Sequence, residues 1–222
     1  MSRPLPISCT WPLAVLGLAL AGAAFAREPD PAALERAVPC CTTLAGLPFR
    51  PLPADRVELI AISAESPVFD FHSGRSYFVA LELPPIELPY IVQVRSYALG
   101  DVVQRSRVFY PAALLLDARH EVLARREPEN LTVVKTTYGD ATRENRWGLP
   151  LRLEWDILVD EPDTRYLVLH TTEQALAGRS STTTRQAIPI ILPGVVTAVP
   201  GRKQGVDVAH SPDGRLAVQV LR

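Results

Sequence analysis

Four histidines, His72, His120, His170 and His210, are the groups best suited to moving protons near neutral pH, and each stands alone in the sequence. A serine nucleophile would need one of them as its base, with an acceptor behind the ring to orient it. No G-x-S-x-G turn presents a serine for attack. A triad is recognised by geometry and not by order, but nothing local announces one here. Glycoside hydrolysis asks only for two carboxyl groups flanking one bond, and a chain with 24 acidic residues always offers some pair. Glu154 and Asp156 share the polar face of one alternating stretch, where solvated charge is the better account of them. Asp160, Glu161 and Asp163 lack the regular ligand pattern of a calcium loop and read as an acidic turn. The chain therefore reads as a non-enzyme, with no cofactor and no metal expected.

Sugar binding demands less. A flat aromatic face covers the apolar side of a pyranose, while amide, carboxylate or guanidinium groups bond its hydroxyls. Trp147 follows Arg143, Glu144, Asn145 and Arg146 and precedes Gly148, so it sits in a polar loop where a large ring is conspicuous. Tyr138 belongs to the same loop. Tyr97 shares a strand face with Gln93 and Arg95, which makes these three a second candidate set. Trp155 has apolar register-mates and is expected in the core.

Cys40 and Cys41 are the only cysteines beyond Cys9. A trans peptide holds neighbouring Cα atoms about 3.8 Å apart, below the roughly 4.4–6.8 Å usual across a disulfide. Two readings stay open: a strained ring joining the two sulfurs, or two reduced thiols with one buried and one facing out. No C-x-x-C spacing or nearby histidine supports zinc.

The elements that would position these groups follow from the punctuation of the chain. Residues 1–26 have the zones of a cleavable export signal: Arg3, the uncharged apolar run Pro12–Ala24, and small residues at Ala24 and Ala26. That run is shorter than the ~20 residues a membrane-spanning helix needs. The expectation is a periplasmic protein, not membrane-spanning, whose residues 27–222 form one domain. Removing Arg3 lowers Lys+Arg from 23 to 22 against 24 acidic groups, and such a balance gives no basic stripe for nucleic acid. Twenty-one prolines argue against long helices.

Short runs rich in β-branched, Leu or aromatic residues recur at Val57–Ile62, Tyr77–Leu83, Tyr90–Leu99, Val108–Asp117, Leu151–Val159, Arg165–Thr171 and Leu216–Leu221. Thr172–Ala177 reads as one short helix capped by Thr171 or Thr172. Residues 101–107, 128–147 and 178–186 read as loops. The fold expected is all-β: a single β-sandwich, jelly-roll- or Ig-like, with one short helix.

Cys40–Pro53, Ser66–Phe78, Val108–Asp117 and Tyr166–Leu176 stand in an order that resembles the MalM family of maltose-operon periplasmic proteins, and the likeness extends through Ile188–Leu221. The resemblance implies an accessory of maltose or maltodextrin uptake. It carries over no catalytic or ligand residues. Maltodextrins, or a periplasmic or membrane transport component, are the partners it suggests; an envelope protein that touches no sugar and a glycosidase-like hydrolase are the rival functions.

Overall fold

The computed structural model describes residues 31–222 apart from 101–104, 130, 132, 136–150 and 193–194. Residues 1–26, expected to be an export signal, and Tyr138 and Trp147, expected at a sugar site, lie outside the described residues.

Period-two alternation builds two facing sheets. In β10 (Leu151–Val159), Leu151, Leu153, Ile157 and Val159 are buried, while Asp156 and Leu158 are exposed between them. It belongs to a five-stranded sheet ordered β2 (Glu58–Ile62), β14 (Gly214–Leu221), β5 (Tyr90–Tyr97), β10, β9 (Val134–Lys135). Opposite lies a six-stranded sheet ordered β1 (Arg50–Pro51), β4 (Gly74–Glu82), β11 (Tyr166–His170), β7 (Ala112–Leu116), β8 (Val122–Arg126), with β3 (Val68–Phe71) also paired to β4. Val92, Val94, Ile157 and Val218 from the first sheet meet Leu81, Leu115, Leu167 and Leu169 from the second in one cluster. Burying each such side chain contributes about 1.5–3 kcal/mol before ordering costs.

The central strands of the six-stranded sheet are apolar on both faces because both are covered. On the outer face, Leu47, Phe69, Phe71, Phe78, Leu114, Leu116 and Val168 form a second cluster, with Cys41, Leu44, Phe49 and Tyr166 packed against it. The segment from Cys41 to Phe49 thus lies over that sheet.

The chain is all-β, and several details depart from expectation. A third sheet joins the other two: the long hairpin of β12 (Arg179–Leu192) and β13 (Val195–Ser211), with β6 (Arg107–Phe109) parallel to β13. Residues 178–186, expected as a loop, are almost wholly strand, since the hydroxyls of a Ser/Thr run do not prevent its β-branched members from pairing. Val108–Asp117 is two strands in two sheets, separated at Tyr110 and Pro111, where proline has no N–H for the ladder. There are two short helices among the described residues, α1 (Pro31–Arg36) and α2 (Glu173–Leu176), not one. Trp155 is half-buried against the core and not enclosed by it.

Two turns carry specific demands. Phe71 pairs with Gly74, leaving only His72 and Ser73 between β3 and β4, and Gly74 has φ +111°, where L side chains are strained. At the start of β14, a Cβ on Gly214 would fall 2.5 Å from Phe109 Cβ. Gly214→Ala should therefore cost about 1–3 kcal/mol through overpacking. Gly205→Ala, where an added Cβ meets nothing within 4 Å, should stay within about 0.5 kcal/mol. Urea unfolding of both variants checks the contrast.

Candidate functional site

A four-residue helix has little stability of its own, so α2 is placed by what holds its ends. Thr172, extended at φ −102° and ψ 156°, caps it: its Oγ1 accepts from the Ala175 amide at 3.0 Å. The Glu173 amide donates to Ser73 O at 2.9 Å, fixing the helix to the β3–β4 turn. At the other end, His210 Nδ1 lies 2.6 Å from Ala175 O. A carbonyl only accepts, so Nδ1 carries the proton and Nε2 is left as the acceptor for Ser180 Oγ at 2.9 Å. The His210 ring also stacks on Tyr110 with centroids 4.3 Å apart, and burial lowers its pKa.

Serine to imidazole to acceptor is the donor order of a nucleophile and its base. Ser180, however, is only 4 % exposed, and the acceptor is a carbonyl with no charge to balance an imidazolium. The trio works as a tie joining α2, β12 and β13. Sequence reading missed it because Ser180 and His210 stand 30 residues apart and meet only through the hairpin register.

Between α1, α2 and the third sheet lies a cleft of 740 Å³ whose walls include Arg75, Arg107, Arg179, Glu173 and Asp207, with Leu34, Leu176 and Pro212 as apolar surface. Arg75 forks onto Asp70 at 2.6 and 3.2 Å and donates to the Glu35 carbonyl at 2.7 Å, clamping α1 to the β3–β4 hairpin. Its guanidinium lowers the Asp70 pKa chiefly by direct hydrogen bonding. Arg107 bonds Asp213 at 3.3 and 3.4 Å, and Asp213 also accepts from Ser211. Asp207 accepts from Ser181 at 2.9 Å. Pre-positioned guanidinium and carboxylate groups beside apolar side chains can bind adjacent hydroxyls while an uncharged face of the ligand packs on the apolar surface.

The residues expected at a sugar site fare differently. Tyr97 is 0 % exposed; an enclosed ring has no face to offer a pyranose, so it is a core residue and not a stacking platform. Gln93 donates to Asp156 at 3.1 Å, and Arg95 donates to Gln219 at 2.6 Å. These bonds knit a polar ladder across β10, β5 and β14. Glu154 pairs with Arg152 at 2.5 Å, so neither carboxylate of the Glu154/Asp156 pair stands apart from its neighbours. Thr164 N bonds Glu161 O at 3.1 Å, closing the acidic turn. No cluster of three His, Cys, Asp or Glu among the described residues could hold a metal.

Cys40 and Cys41 are joined as a disulfide between neighbours, with Cα atoms 3.8 Å apart. Cys41 Sγ also lies 2.9 Å from Gly46 O, a contact that only the reduced thiol could use as a donor. Denaturing alkylation without reductant should therefore add no label, and two labels would contradict the bond. A single label with a dimer band would point instead to a bridge between two molecules.

His170 is buried in β11, stacked 4.1 Å from Phe71, and burial pushes its pKa down to about 4. An unfolded histidine binds its proton near pH 6.5, so the unfolded state takes up protons first as pH falls. Stability should be full above about pH 6.5 and decline by about 3 kcal/mol on acidification to about pH 4. His210 adds to this in the same direction. His170→Phe should flatten the slope in that window; urea unfolding at stepped pH, showing an unchanged slope, would contradict the assignment.

No helix of the described residues is long and apolar enough to cross a membrane. Comparison with known proteins finds no matching family model, no matching curated protein and no matching solved structure.

Proposed function

We propose that this protein is an exported, non-catalytic accessory of maltodextrin handling that binds the sugar weakly in the cleft beside α2. The observation that carries the reading is that cleft: 740 Å³, lined by guanidinium and carboxylate groups together with Leu34, Leu176 and Pro212. Its volume lies within the roughly 300–1,000 Å³ typical of small-ligand sites. The export pattern of residues 1–26 supports a periplasmic location, and the resemblance of four stretches to the MalM family supports the sugar class. Buried serine and paired surface carboxylates support binding without cleavage.

Calorimetric titration with maltose through maltoheptaose tests this. Dissociation constants on the order of 0.1–1 mM are expected, as suits an open site with few enclosed contacts. Arg179→Ala, an exposed cleft residue, should weaken binding about tenfold with an unchanged melt. Gln93→Ala should leave binding as it is. The absence of heat at millimolar sugar would move the function to binding an envelope partner, and release of shorter sugars would establish a hydrolase.

A further inference from the structure

On the outer face of the six-stranded sheet, away from the sugar cleft in its lining residues, a cavity of 160 Å³ is walled by Phe69, Phe71, Leu114, Val122 and Leu44. A dry cavity of about 150 Å³ accommodates a benzene-sized molecule. One buried polar ring lines it: His170, 3 % exposed. Its Nδ1 lies 3.1 Å from the Thr171 carbonyl, so Nδ1 is the donor and the nitrogen left to a ligand is the acceptor Nε2. Stacking on Phe71, with an interplanar angle of 12°, fixes the ring's orientation.

The cavity does not stand alone. Phe71, His72, Ser73 and Glu127 also line an adjoining shelf of 690 Å³, whose further walls include Glu173 and Gln174. The shelf thus carries two carboxylates and neither lysine nor arginine; Arg125 lines only the deep cavity. A cavity walled chiefly by apolar side chains, with His170 as its buried acceptor and Ser73, Arg125 and Glu127 also on its lining, opens onto an acidic shelf and is complementary to a particular chemistry. We propose that this is a binding site for a small hydroxylated aromatic ring bearing a cationic tail, the ring and its hydroxyl in the cavity and the tail between Glu127 and Glu173.

The neutral state of His170 at pH 7, favoured by its burial, keeps Nε2 an acceptor. The phenol hydroxyl would donate to it, a bond that benzene cannot make and that an imidazolium could not accept.

Ligand-detected NMR and thermal melts on the wild-type protein with benzene, phenol, tyramine and 4-hydroxyphenylacetate test the proposal. Phenol should bind about tenfold more tightly than benzene. Tyramine should exceed 4-hydroxyphenylacetate by about tenfold, because only its tail complements the two carboxylates. Glu127→Gln, at an exposed position, should narrow the second ratio and leave the first unchanged. His170→Phe should abolish the preference of phenol over benzene. Equal binding of phenol and benzene would overturn the role of His170. Equal binding of the two charged phenols would overturn that of the shelf, and no binding of any probe at millimolar concentration would overturn the site. Glu173 also lines the cleft, so the titrations are run without sugar, and none of their outcomes depends on whether the cleft binds it.

Discussion

The functional surface depends on where four residues of helix are pinned. Helix α2 is too short to hold itself, and its position comes from Ser73 O at one end and His210 Nδ1 at the other. Residues of α2 then face three ways: onto the acidic shelf through Gln174, into the 740 Å³ cleft through Leu176, and toward Tyr110 and Ser180 through Ala175. A neutral His210 ring is the joint between this helix and the third sheet. It can serve both Ala175 O and Ser180 Oγ only as one tautomer, which makes the geometry a constraint and not a coincidence of packing.

The two faces of the six-stranded sheet divide the work. Its inner face closes the main core with the five-stranded sheet. Its outer face gathers side chains from four separate stretches: Leu47 and Phe49, then Phe69, Phe71 and Phe78, then Leu114 and Leu116, then Tyr166 and Val168. Stretches far apart in the chain are thus neighbours in one aromatic layer, and His170 enters that layer as its buried polar member. Phe49, His120 and Tyr166 extend the layer, with centroids 4.4–5.2 Å apart. The cavity of the six-stranded sheet lies in this layer, between Phe69, Phe71 and Leu114.

Much of this was legible in the sequence because short-range physics fixes it. Strand β10 has the expected bounds since its alternation is uninterrupted. The helix at TEQAL announced itself through a threonine cap, and Thr172 makes that cap. What stayed hidden depends on register between distant strands. The parity of β5 puts Tyr97 on the same side as Gln93 and Arg95, but parity does not say what covers the end of a strand, and Tyr97 is enclosed. Likewise, the polar run before Arg185 pairs with β13 through contacts no local pattern reveals. The Ser180–His210 bond and the reach of Arg75 to Glu35 O belong to the same class.

The central claim is that ligand contact is organised about α2 and not on the polar face of the five-stranded sheet. Hydrogen exchange of the purified protein, followed by mass spectrometry with and without saturating maltoheptaose, tests it most directly. Slower exchange across 173–181 and 207–212, with no change across 91–97, is the predicted result. Protection across 91–97 with none around α2 would contradict the account.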